Sequence, residues 1–349
     1  MKVISDDAVE RYLWSNLTKT QILEKFQPAL LNGLKDYNED PDKIIPPRIS
    51  QLSNNPNSSV THLYMPCISP NEVGIKVISG GPSSKLGFQG CVLILDEFTG
   101  VLEAVINAKT LTAFRTALAS TLGLVKVIHP DNKDILKEIT VFGVGLQSYW
   151  HIALSLKIYG ESILQVNIIN RSIENAQNLA DKLKDVFPFT AFNSFSFDQE
   201  DAYVGHIQNS SIIFGCTPST VPVIKSHYIN KDPKYPKFIS LIGSYKANMI
   251  ELELDFINSE FKSTGTSIIV DSKDHTLLES GELIQGGIER DQLVDLVELY
   301  ETNDSTSNYV SPHNITFQKL VGLSIMDLSM GKLISKDITS DKAVVIDDF

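Results

Sequence analysis

The segment Ile139-Thr-Val-Phe-Gly143-Val-Gly145-Leu-Gln147-Ser148 restricts the fold of this 349-residue chain more than any other stretch. A short apolar run breaks into two glycines, and helical spacing follows with Ile152, Leu154, Leu156 and Ile158. A second apolar run, Ile163-Leu-Gln-Val-Asn-Ile-Ile-Asn170, then arrives within the roughly 30 residues that a strand–helix–strand crossover needs. The first glycine permits a tight turn after a strand, the second lets backbone approach a pyrophosphate, and the helix presents its positive end to that anion. Ser148 stands where the usual third glycine would be, so the turn points to a dinucleotide only together with its flanking strands. Gly143, Gly145, Leu146 and Gln147 are the expected cofactor contacts of this turn.

The end of the second strand bears on which dinucleotide is held. Sites that prefer NAD place an acid there to accept from the ribose 2′-hydroxyl, whereas an Arg accommodates a 2′-phosphate. Here the residues are Asn170, Arg171 and Ser172, with no acid before Glu174. A guanidinium can fork onto a phosphate, and Asn and Ser add neutral hydrogen bonds. NADPH/NADP+ is therefore expected ahead of NADH. The same residues also fit a solvated Arg with Ser172 merely capping the next helix.

The remaining runs extend this pattern into an α/β fold. Ser211–Pro218, Lys237–Gly243 and Ser267–Asp271 are short and apolar with turn signals at their ends, as further parallel strands of a doubly wound sheet would be. Upstream, a helical pattern carries Ile22, Leu23, Phe26, Leu30, Leu31 and Leu34. Extended segments follow at His62–Cys67 and Val73–Ser79, and Cys91–Asp96 and Val101–Asn107, joined by Glu97–Gly100, read as an antiparallel hairpin. Thr110–Ile128 and Asn314–Leu333 both show amphipathic spacing.

Charge and cysteine usage exclude several classes. A formal net charge of -12 gives no global attraction to phosphate backbones or anionic membranes, so neither nucleic acid nor membrane is an expected partner. Three scattered cysteines, Cys67, Cys91 and Cys216, suit neither a disulfide framework nor a metal cluster, and read as buried thiols. In Met1-Lys-Val-Ile-Ser-Asp-Asp7 acids come before any apolar core could form, so no secretory signal is expected and a cytoplasmic setting is.

Three cations look out of place. Arg115 falls in the first turn of a helix that Thr110 or Thr112 would cap, where it opposes the helix dipole unless an anion is bound. Lys76 lies inside the apolar strand Val73-Gly-Ile-Lys-Val-Ile78, and Arg48 follows the stiff Pro46-Pro47 pair. Three cations from separate elements suit a carboxylate. Taken singly, each also fits a solvated or surface-paired side chain.

At these positions the chain resembles the ornithine cyclodeaminase/mu-crystallin family. The matching text is Pro47-Arg48, Met65-Pro66, Gly74-Ile-Lys76, the block from Leu95-Asp-Glu-Phe-Thr-Gly100 through Leu111-Thr-Ala-Phe-Arg115-Thr-Ala-Leu-Ala119, Gly143-Val-Gly145-Leu-Gln147, Asn170-Arg171-Ser172, Cys216-Thr217, Glu279-Ser-Gly-Glu282 and Thr316-Phe-Gln-Lys319 with Gly322. The resemblance implies a Rossmann-type doubly wound parallel sheet, residues 120–310, inserted into a second α/β substrate-binding and dimerisation domain made of residues 1–119 with 311–349. It further implies a homodimer, an active site in a cleft, cofactor contacts at Cys216 and Thr217, and a substrate carboxylate held by Arg48, Lys76 and Arg115 near Met65.

Two departures bear on the subtype. The acids of ornithine-specific members are replaced by Leu63 and Tyr245, so an ammonium-bearing side chain would enter unpaired. The usual Lys-Ser-x-Gly reads Lys319-Leu-Val-Gly322. The expected activity is NADPH-dependent reduction of a small carboxylated imine or ketimine, with Lys76 and Arg115 at the reacting centre and Tyr245 as a substrate contact. Its alternatives are an ornithine cyclodeaminase-like or alanine dehydrogenase-like enzyme of amino acids, or a non-catalytic NADPH-dependent ligand-binding protein of the crystallin type.

Overall fold

Strand-forming and helix-forming stretches sort into two units, Met1–Arg115 with Gly322–Phe349, and Thr116–Val321. The computed structural model describes residues 1–81, 87–132, 138–301, 308–339 and 342–347. The strands in chain order are β1 (Lys2–Ile4), β2 (Ile49–Leu52), β3 (Thr61–Ile68), β4 (Val73–Gly80), β5 (Gln89–Leu95), β6 (Leu102–Asn107), β7 (Glu138–Phe142), β8 (Gln165–Asn170), β9 (Ala191–Ser196), β10 (Ile212–Gly215), β11 (Lys237–Leu241), β12 (Ile268–Val270), β13 (Leu293–Asp295), β14 (Ile315–Lys319) and β15 (Val344–Val345).

The first unit is built on a mostly antiparallel sheet in the order β15-β1-β6-β5-β4-β3-β2. The expected hairpin is present, with β5 antiparallel to β6 and a bulge between Ile94 and Leu95. Alternation along the strands buries one face: Met65 and Cys67 on β3, Lys76 on β4, Val92 and Ile94 on β5, Ala104 and Ile106 on β6. The helix Ser324–Asp337 covers this face, and Gly331 lets it approach closely over Ile94 and Ile106. The opening helical pattern is interrupted by a π-helical turn at Ile22–Phe26 before Gln27–Glu39 resumes.

The second unit carries eight parallel strands in the order β13-β12-β14-β11-β10-β7-β8-β9. From β7 the chain steps outward through β8 and β9, then returns to place β10 on the other side of β7, which creates the switch point of a doubly wound Rossmann-type sheet. Strands buried on both faces explain the continuous apolar runs. On one side the sheet contributes Phe142, Ile169, Ile239 and Phe317 to a core cluster with Phe256 and Phe261.

Two boundaries differ from expectation. Asn314–Leu333 is not one helix: Ile315–Lys319 is β14, paired to β11 and β12, and only Ser324–Asp337 is helical. That pairing keeps the chain in the second unit until Val321, so the return falls at 321/322 rather than 310/311, and the outward boundary falls at 115/116 rather than 119/120. Among the three cysteines, Cys67 is buried while Cys91 and Cys216 are partly exposed, and all three are free. Among the described residues no helix is long and apolar enough to cross a membrane, and no group of His, Cys, Asp or Glu is arranged to hold a metal.

Candidate active site

In the first unit, Lys76 and Arg115 converge. Lys76 sits on the buried face of β4, opposite Met65 in register, and is 1% exposed. Arg115 is also buried, but not in a first helical turn. The helix begins at Ala108, because Asn107 Oδ1 accepts from Lys109 N and Asp6 Oδ1 accepts from Thr110 N, so Arg115 lies well inside it and the dipole argument does not apply.

A buried carboxylate that sequence reading missed joins the two cations. Asp327 Oδ1 accepts from Lys76 Nζ at 2.8 Å and from Thr112 Oγ1 at 3.3 Å, and forms an ion pair with Arg115 Nε at 3.2 Å. Its Oδ2 is buried with no hydrogen-bond partner among the described residues. Burial pushes the Asp327 carboxyl up, but the Arg115 and Lys76 charges outweigh burial and hold it below the ordinary carboxylate value. Burial lowers Lys76 to about 8 against the attraction of Asp327, with Arg115 and Arg48 adding repulsion. Arg48 itself is half-buried just ahead of β2.

Gly322 completes this arrangement. Its φ of +84° favours glycine, and a Cβ there would stand 2.7 Å from Arg115 Nη1 and 2.9 Å from Nη2. Arg115 Nη1 also reaches Met326 Sδ at 3.4 Å. Leu63, on the same strand as Met65, is half-buried.

In the second unit, β7 delivers the glycine turn. Gly143 adopts a φ of +105°, and a Cβ there would lie 2.7 Å from Cys216 O, so this position is closed by the turn after β10. At Gly145 a Cβ would meet nothing within 4 Å among the described residues. Gly145 is also the N-cap of the helix Leu146–Tyr159 and supplies no side chain to its first amides. An open, uncapped helix start fits a pyrophosphate, which Gly145, Leu146 and Gln147 would receive on backbone N–H groups. Asn170 ends β8 with its amide donating to Ser172 O at 3.1 Å, Arg171 is exposed, and Ser172 caps Ile173–Val186 by accepting from Asn175 N.

His151, also missed by sequence reading, braces the same turn. Gln147 O can only accept, so His151 Nδ1 donates to it at 2.7 Å and Nε2 accepts from Ser120 Oγ at 2.8 Å. Burial keeps the ring neutral, pushed down to about 4. Cys216 and Thr217 follow β10, and Cys216 N donates to Phe142 O. Tyr245 is half-buried with its hydroxyl pushed up by burial, and Lys246 Nζ stands 5.8 Å from its ring centroid. Lys319 is fully buried on β14, where Nζ donates to Leu241 O at 3.3 Å.

A profile of the ornithine cyclodeaminase/mu-crystallin family matches residues 16–342. The chain belongs to that family. An uncharacterized protein of Saccharomyces cerevisiae is 32% identical, over 95% of each chain. The ketimine reductase mu-crystallin of Mus musculus is 26% identical over 73% of this chain and 71% of its own. The delta(1)-pyrroline-2-carboxylate reductase of Thermococcus litoralis, solved with NADH and L-proline, superposes with a TM-score of 0.77 at 21% identity, covering 99% of this chain and 100% of that one.

Proposed function

We propose that the protein is an NADPH-dependent reductase of a small carboxylated imine or ketimine. The observation that carries this reading is the buried pair Lys76 and Arg115, held together by one carboxylate oxygen of Asp327 with Arg48 nearby. At neutral pH this cluster keeps an excess of positive charge out of water, a state that a substrate carboxylate would relieve. Reductases of C=N bonds among the relatives support the chemistry.

Bound NADPH would supply a hydride for the carbon of the C=N bond. Arg48, Lys76 and Arg115 hold the carboxylate attached to that carbon, which fixes the face presented for reduction. A protonated imine is already electrophilic and becomes an amine on gaining the hydride, with no further proton needed in that step, so orientation and exclusion of water are the main demands on the protein. Gly143, Gly145, Leu146 and Gln147 hold the dinucleotide with Cys216 and Thr217, and Asn170, Arg171 and Ser172 receive a 2′-phosphate. Leu63 and Tyr245 leave the substrate side chain without a carboxylate partner, which favours an uncharged side chain over that of ornithine.

A homodimer accompanies this reading. On the face of the first sheet opposite Ser324–Asp337, the register aligns Pro66, Ile75, Leu93 and Val105 across four strands, flanked by Tyr64 and Ile68, which are 40% and 57% exposed. A continuous apolar face of this kind is what a second copy would cover.

Purified protein is assayed for NADPH and NADH oxidation against cyclic ketimine carboxylates, with ornithine and alanine plus NAD(P)+ alongside. NADPH consumption with a ketimine is expected. Silence across the panel despite tight NADPH binding moves the assignment to a ligand-binding protein.

A further inference from the structure

Behind the cofactor turn lies a second buried charge cluster. Glu251 is fully buried between Ile250 and Leu252. Its Oε1 accepts from Thr217 N at 2.7 Å and Thr217 Oγ1 at 2.8 Å, and its Oε2 accepts from Gly243 N at 2.7 Å. One side chain thus ties the turn after β10 to the turn after β11. The first of these turns is the one that closes on Gly143 through Cys216 O, so the tie stands directly behind the dinucleotide-binding glycine.

The surrounding charges do not balance Glu251. Glu282 Oε1 accepts from Glu251 N at 2.7 Å, and Glu282 Oε2 accepts from Ser244 Oγ. Lys319 Nζ lies 3.9 Å from Glu282 Oε2, and the Cys216 thiol also faces the group. Two carboxylates therefore share one ammonium in a site that water does not reach. Burial raises Glu251 to about 7 in spite of Lys319 and the Thr217 donors, with Glu282 adding to the rise. Thr217 N and Gly243 N can only donate, so a proton on Oε2 displaces Gly243 N, and one on Oε1 forces the Thr217 hydroxyl to turn from donor to acceptor.

We infer that Glu251 is a proton-sensitive positioning residue: ionised, it holds the Cys216–Thr217 turn against Gly143, and on taking a proton it loosens that turn and weakens dinucleotide binding. The inference rests on the cofactor reading above. By reciprocity, binding a dinucleotide drives a proton off Glu251.

The test is the dissociation constant of NADPH and of NADH, read from nicotinamide fluorescence between about pH 6 and 8.5 for the wild type and Glu251→Gln. NADH carries no 2′-phosphate, so a dependence shared by both dinucleotides belongs to the protein. With only the ionised form competent, wild-type binding weakens about tenfold from the upper to the lower limit. Glu251→Gln binds more weakly at the upper limit, because its amide meets a backbone donor, and is flat with pH. Titration calorimetry of the wild type near pH 7 in two buffers of different ionisation enthalpy should show about half a proton released per dinucleotide bound, and this needs no variant. A flat wild-type profile, no proton release, or an unchanged pH dependence in Glu251→Gln overturns the inference alone. Absence of dinucleotide binding at every pH removes the cofactor reading and the inference with it.

Discussion

Asp327→Asn removes one charge and almost no volume from the buried cluster of Lys76, Arg115 and Asp327. Lys76 Nζ and Arg115 Nε lie 2.8 and 3.2 Å from Oδ1, and all three side chains are nearly or fully buried. Opposite charges even at 4 Å attract by about 4 kcal/mol at an effective dielectric near 20, and breaking a buried ion pair by removing one partner costs about 3–5 kcal/mol. A loss of about 3 kcal/mol near neutral pH follows. Its pH dependence is more diagnostic than its size. Lys76 sits at about 8 instead of 10.5, a depression worth about 3 kcal/mol at 1.36 kcal/mol per tenfold. For a lysine so depressed, stability is full above the unfolded value and falls as pH drops towards the folded one, because the unfolded chain takes the proton first. Without Asp327 the folded value drops further, and this penalty continues below about 8. The deficit of Asp327→Asn in urea unfolding should therefore be larger near pH 6.5 than near pH 9.5 by at least about 1 kcal/mol. An equal deficit at both, or one under about 1 kcal/mol throughout, refutes the claim that Asp327 holds Lys76 charged.

Arg171→Ala should weaken NADPH roughly tenfold to a hundredfold, the worth of a charged hydrogen bond, and leave NADH within about twofold; equal losses in fluorescence titration remove the 2′-phosphate assignment. Gly322→Ala forces a Cβ to 2.7 Å from Arg115 Nη1 at a φ of +84°, so roughly 2 kcal/mol of stability is lost together with most kcat/KM for carboxylated imines, while NADPH affinity holds. Normal turnover would free Arg115 from the site. Leu63→Glu with Tyr245→Asp should strengthen ornithine binding measurably by calorimetry, and no gain would show that more than these two charges separates the pocket from that of an ornithine enzyme.

The second unit was legible where a strand is apolar throughout. β7, β10, β11 and β12 are short runs with turn residues at each end, and the two glycines between β7 and the helix Leu146–Tyr159 mark the chain reversal. β14 was hidden because Ile315-Thr-Phe-Gln-Lys319 carries polar residues whose partners are distant in sequence: Gln318 donates to Ala119 O and Lys319 to Leu241 O. Fully buried, they mimic the wet face of an amphipathic segment, and the unit boundary was misplaced with them. The start of the helix at Ala108 was hidden for the same reason, since part of its capping comes from Asp6. Lys76 and Arg115 were visible as cations in apolar surroundings. Asp327 and Glu251 are acids in equally apolar surroundings, Ile325-Met-Asp-Leu328 and Ile250-Glu-Leu252, and carry the same signal in the sequence.

The two acids also expose a symmetry in how the units treat charge. In the first, Lys76 and Arg115 outnumber Asp327 by one. In the second, Glu251 and Glu282 outnumber Lys319 by one. An unbalanced buried charge is costly unless something neutralises it, and each cluster admits a different remedy. In the proposed function the excess cation of the first would be met by the substrate carboxylate. The excess anion of the second is enclosed behind Thr217 and Gly243, where a proton is the available counter-charge. Substrate binding and cofactor binding should then carry opposite pH signatures. Raising pH through about 8 discharges Lys76 and would weaken the proposed carboxylate contact, whereas lowering it through about 7 protonates Glu251 and would weaken the dinucleotide. A bell-shaped kcat/KM for the imine, with an acid limb that is lost in Glu251→Gln and an alkaline limb that shifts in Asp327→Asn, is the expected result; limbs that stay in place in both variants would assign the titrations to other groups.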